Sequence, residues 1–107
     1  MKELDIAKAM QVGTIPPQQA VELRVQLAGL YAFYSQELED ILMRKPAVWI
    51  TIRVKHKSDT QAEREWSATP DGLNEVGLGM RLKRISTMMS SLKSIIDTQV
   101  IDYHHTK

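Results

Sequence analysis

At 107 residues, with 43% hydrophobic and 25% charged side chains, the chain has the make-up of one globular domain rather than a disordered segment. A formal net charge of +1 excludes a strongly basic nucleic-acid binder and an acidic DNA mimic on bulk charge, and the lack of cysteine excludes disulfides, thiolate metal sites and Cys nucleophiles. No run approaches the roughly 18 apolar residues of a membrane span, and the opening MKELDIAKAM has no apolar core of leader length, so the expectation is a soluble, cytoplasmic protein with no membrane partner.

Residues 1–15 read as an N-terminal arm. A short helix over 2–12 has Leu4, Ala7, Ala9 and Met10 to bury, and Gly13-Thr14-Ile15-Pro16-Pro17 ends it, because the two prolines forbid continuation. Pro17 suits a helical first turn, and the spacing predicts a helix over 17–44 with the stripe Leu23, Leu27, Leu30, Tyr34, Leu38, Ile41. Glu22 suits the positive end of its dipole, and Arg44 and Lys45 the negative end. Ala28, Gly29 and Ala32 form a small-residue patch that either admits another helix closely or reflects surface tolerance.

Lys45-Pro46 reads as a joint, opening a connector over 46–68. Within it, Val48, Ile50, Ile52 and Val54 alternate with Trp49, Thr51, Arg53 and Lys55, a period-two pattern that suits a lone strand over 47–54. The competing reading is a helix with Pro46 in its first turn and Trp49, Ile52 and His56 on one face; helix is the preferred reading of the two. Ser58-Asp59-Thr60-Gln61 has the form of a capping box, opening a short helix to about Trp66. Thr69 then caps, and Pro70 starts, a long helix over 69–97 with the stripe Leu78, Leu82, Ile85, Met89, Leu92, Ile96. Gly77 and Gly79 inside it suggest close approach of another backbone, or a kink. Residues 98–107 read as a frayed tail.

The expected fold is therefore mainly α: an antiparallel hairpin of two long helices. Its third layer comes from residues 47–66 or from a second copy of the chain, and a homo-oligomer is expected.

No nucleophile elbow, zinc-protease helix, Walker loop or dinucleotide fingerprint is present, so an enzyme is the least favoured class and no cofactor is expected. Glu37 and Asp40 project near each other on a solvent face with nothing to desolvate either, which suits neither acid nor base catalysis. The histidines His56, His104 and His105 do not make a preorganised metal site. Charge is uneven: residues 1–44 carry four basic and six acidic side chains, residues 45–107 ten and seven. That asymmetry marks either an anionic partner or two halves that pack on each other. The candidate nucleic-acid or nucleotide surface is Trp49, Arg53, Lys55, Lys57, Arg64 and Trp66, with His56 among them, joined by Arg81, Lys83 and Arg84. Cations track phosphates and rings stack on bases in single-strand binders, although both Trp residues also suit a core. Met80, Met88 and Met89, beside Ser86, Thr87, Ser90 and Ser91, are core filling or an adaptable partner groove.

The pattern Ser58-x-x-x-Ala62-Glu63-x-x-Trp66-x-x-Thr69-x-x-Gly72, then Lys83 and Ser91-Leu92-Lys93-Ser94, preceded by Leu30-x-x-x-Tyr34-Ser35-x-x-Leu38, resembles small helical accessory proteins of tailed bacteriophages. The resemblance is one of pattern over about residues 23–96, and the β-branched 47–54 segment departs from it. It implies a protein that acts by binding, with single-stranded DNA or a recombination or replication protein as partner. The alternatives are a counter-defence inhibitor or nucleotide-signal sponge working at a subunit interface, and a structural helical assembly protein.

Overall fold

A computed structural model describes residues 2–11 and 15–105, with side-chain surroundings for 4–10 and 15–98. Four helices follow one another: α1 Lys2–Gln11, α2 Pro17–Arg53, α3 Asp59–Ala68 and α4 Pro70–His105. The described residues contain no strand. Contacts divide the chain into two compact units, a first from residues 1–32 and 83–107 and a second from 33–82.

The segment after Pro46 is helical to Arg53, in line with the preferred reading, and the lone-strand alternative over 47–54 does not form. The correction is the joint: no break opens at Lys45-Pro46, and α2 runs through Pro46 to Arg53 as one helix. Proline removes one backbone donor and crowds the preceding turn. Here Ile41, Lys45, Trp49 and Ile52 continue the inward stripe at steps of four, four and three, and Ile52 is buried. The packing gained along that stripe outweighs the one lost hydrogen bond. Thr51 adds a local bond from Oγ1 to the Ala47 carbonyl at 3.2 Å, which suits a β-branched hydroxyl residue inside a helix. The alternation of Val48, Ile50 and Val54 is a false strand signal: all three are exposed.

α2 closes with tightened bonds, from Lys55 N–H to the Ile52 carbonyl and from His56 N–H to the Arg53 carbonyl. Ser58 then caps α3, its hydroxyl accepting from the Gln61 N–H at 3.3 Å. The return arm differs from the reciprocal box: the Gln61 side chain accepts from the Lys57 N–H, one residue earlier. Thr69 ends α3 and starts α4 at once. Its N–H and hydroxyl both donate to the Trp66 carbonyl, at 3.0 and 2.6 Å, and its hydroxyl accepts from the Gly72 N–H at 3.0 Å. That chain of bonds draws Gly72 onto the end of α3. A Cβ there would collide with the Trp66 carbonyl, so close approach falls on Gly72. Gly77 and Gly79, where the sequence suggested it, have nothing within 4 Å of a built Cβ. The same open space surrounds Gly29.

The second unit packs Ile41, Ile52, Ala62, Trp66 and Leu78, with Tyr34, Leu38 and Trp49 against them. Within it α2 and α4 are antiparallel, since Tyr34 meets Arg81 while Lys45 meets Glu75. α3 is the third layer, contributing Ala62 and Trp66. In the first unit the buried side chains are Ile6 of α1, Ile15, Ala20, Leu23 and Leu27 on the α2 side, and Ile85 and Leu92 of α4. The expected stripes of both long helices therefore face inward, apart from the intermediate exposure of Leu30, Tyr34, Leu38, Leu82, Met89 and Ile96. α4 also outruns its expected end at Asp97, continuing to His105, so 98–105 is helix; Thr106 and Lys107 lie outside the described residues, as do Val12, Gly13 and Thr14.

Candidate functional site

The residues proposed from sequence separate into three groups. Trp66 is 2% exposed and its ring is inaccessible to a stacked base. Its Nε1–H donates to Glu75 at 3.2 Å, and the Lys45 ammonium lies 5.2 Å from its ring centre. Lys45 in turn bonds both Glu75 oxygens, at 3.2 and 3.3 Å, with Glu63 at 3.7 Å. Lys45 thus serves the core of the second unit, not the end of a helix dipole. Beside it, Arg44 pairs with Asp71 at 3.1 Å, and that hydrogen bond raises its guanidinium pKa further above any working pH.

Arg53 is committed to the α2–α3 turn. Its guanidinium donates to the Asp59 carboxylate at 2.6 Å and to the His56 carbonyl at 2.7 Å, tying the end of one helix to the start of the next. His56 contacts Glu65 at 3.2 Å. Arg81 lies over the Tyr34 ring, 4.7 Å from its centre, a cation–π contact within one unit. Arg84 also has an interaction within the chain.

Lys55, Lys57, Arg64 and Lys83 are exposed, and Trp49 is half-buried at the edge of the second core. The first three lie in the α2–α3 turn and in α3. Among the described residues no three His, Asp or Glu side chains converge as metal ligands; the side chains of His104 and His105 lie outside that description. No helix is long and apolar enough to cross a membrane among the described residues.

In the first unit a cleft of about 260 Å³ lies between α2 and α4, lined by Arg24, Tyr31, Ser86, Met89, Ser90 and Lys93. Its lining holds two cations, three hydroxyls and no carboxylate. Arg24, which lines it, has an Nε that is buried without a hydrogen-bond partner among the described residues. The only sequence signal was the serine flank of the methionine stretch, which named Ser86, Met89 and Ser90 but neither cation.

The chain matches no protein-family model, and no curated protein or solved structure is similar to it.

Proposed function

We propose that the protein acts by binding, without catalysis, and that its partner is the backbone of single-stranded DNA. The observation that supports this reading is the exposed trio Lys55, Lys57 and Arg64 at the α2–α3 turn and on α3. With Trp66 in the core and Arg53 held by Asp59, the stacking part of the surface shrinks to the exposed edge of Trp49. What remains is attraction to phosphates, which carries little sequence preference. This reading keeps the DNA-transaction role implied by the resemblance to phage accessory proteins.

The physics sets the size of the effect. About three phosphate contacts on a single strand predict a slope of log K against log salt near about −2, since each contributes roughly −0.7. Fluorescence anisotropy of a labelled single-stranded oligonucleotide, titrated at low and moderate salt, measures it. Replacing Lys55 and Lys57 together by Gln should weaken binding and bring the slope to about −0.7 while the helical circular dichroism is unchanged. An unchanged slope in that variant would remove the surface from consideration.

A second reading, capture of a small nucleotide, is favoured by a separate observation, the cleft between α2 and α4 in the first unit.

A further inference from the structure

We propose that this cleft is a binding site for a small phosphate monoester carrying a ring, of which a nucleoside monophosphate is the probe. It lies within one chain and shares no residue with the Lys55–Lys57–Arg64 surface.

Arg24 and Lys93 line the same cleft with no carboxylate among the lining residues, and neither makes an ion pair within the described residues. Two like charges drawn to one partly enclosed place repel, and a bound dianion turns that repulsion into attraction. The second observation is the buried Arg24 Nε. A buried donor with no acceptor costs free energy, so the Arg24 guanidinium, which lines the cleft, has an unmet demand for an acceptor. A phosphate has acceptor oxygens to spare and matches the fork of a guanidinium.

The spacing of the lining residues bears on the rest of the ligand. Arg24 and Tyr31 are seven residues apart on α2; Ser86 and Lys93 are seven apart on α4, with Met89 and Ser90 between them. Seven residues of helix advance about 10 Å. α2 and α4 are each continuous and run antiparallel, so the register that sets Arg24 level with Lys93 also sets Tyr31 level with Ser86. One end of the cleft is then cationic, and the other offers an aromatic face. Tyr31 is 41% exposed, so its ring can take a second ring against it. Met89 supplies an apolar, adaptable wall, and the Ser90 and Ser86 hydroxyls can donate to phosphate or ribose oxygens. A cleft of about 260 Å³ lies just below the usual range for drug-sized ligands, which suits a mononucleotide with its base half in solvent and excludes full enclosure of a dinucleotide.

Isothermal titration of the full chain with AMP, adenosine and inorganic phosphate tests the assignment. AMP should bind, phosphate should bind about tenfold or more weakly, and adenosine more weakly still. Lys93→Gln, an exposed position that leaves the core alone, should weaken AMP about tenfold or more, and Arg24→Met should do the same. Tyr31→Ala should weaken AMP and leave phosphate unchanged. Should Arg24→Met fail to fold, Lys93→Gln decides alone. Absence of AMP binding to the wild-type chain, or equal affinity of wild type and Lys93→Gln, would overturn the site. Phosphate binding as tightly as AMP would overturn the assignment of a ring-bearing ligand. Lys55→Gln/Lys57→Gln should bind AMP as the wild type does, so failure here and failure of the DNA reading are read separately.

Discussion

The two units treat polar groups near their cores in opposite ways. In the second unit Lys45 bonds both Glu75 oxygens, Glu75 also accepts from the Trp66 ring, and Arg53 is held by Asp59 and a carbonyl. In the first unit the Arg24 Nε is buried with no partner among the described residues, and Arg24 lines a cleft together with Lys93. The same kinds of side chain are thus used to fix structure in one place and left unmet in the other. A buried polar group with its partners makes one arrangement favourable over others, whereas one without them costs stability until something arrives to satisfy it. The contrast assigns the paired polar groups of the second unit to holding the fold, and the cations of the first unit's cleft to meeting a ligand. It also explains why residues that look functional by type, Trp66 and Arg53 above all, turn out to be structural.

The largest expected effect comes from overfilling the second unit where α3 meets α4. Gly72→Ala would drive a methyl group into the Trp66 carbonyl, which is backbone and cannot swing away. The Thr69 bonds that cap both helices would have to open with it. A loss of about 3 kcal/mol or more is expected, lowering Tm by roughly 10 °C or more in a thermal melt. Gly77→Ala, with open space around it and a gain in helix propensity, should leave Tm level or raise it slightly. Equal effects at the two glycines would mean that the α3–α4 junction is looser than described.

That pair of glycines also shows what the sequence could and could not reveal. Gly77 and Gly79 drew suspicion because they interrupt a helical pattern, which is a local signal. Gly72 is forced by where Thr69 sends the chain, and that contact is invisible until the turn is built. The stripes of α2 and α4 were legible because steps of three and four need no tertiary knowledge. The extension of α2 past Pro46 was not, because the next inward position is Lys45. A lysine reads as surface until Glu75, thirty positions on, is seen to meet it. The cleft failed for the same reason. Nothing local marks Arg24 or Lys93 as a pair, and only the packing of α2 with α4 brings them to one place.

The next effect in size tests whether the polar contacts of the second unit act as a unit. Glu75→Ala leaves the half-buried Lys45 ammonium with only the more distant Glu63 and strands a buried indole N–H, and should cost about 2–4 kcal/mol. Glu75→Gln keeps an acceptor for the Trp66 ring and loses only the charge opposite Lys45, so it should cost about half as much. Urea unfolding of the two variants separates them, and near-UV circular dichroism of the buried Trp66 should change more in the Ala variant. Identical losses would show that the indole bond contributes nothing and that the Lys45–Glu75 pair acts alone.

The smallest expected effect is the most telling for the comparison. Arg24→Met keeps the aliphatic stem that packs along α2 but removes the buried Nε and one of the two cations in the cleft. Truncating an arginine that had partners would destabilise the fold. Here the group removed is one whose burial is uncompensated, and its loss also relieves repulsion with Lys93. The variant, without ligand, should therefore be as stable as the wild type or more stable by up to about 1 kcal/mol. The order should reverse when ligand is added. A phosphate monoester that binds only the folded wild-type site raises its Tm by mass action, and the variant gains little. Thermal melts of both chains with and without AMP give four numbers, and the sign of the difference between the pairs is the quantity of interest. A variant that is less stable without ligand by more than about 1 kcal/mol would mean that Arg24 already has a compensating partner. The unmet charge that distinguishes the first unit from the second would then vanish, and the case for a ligand there would go with it.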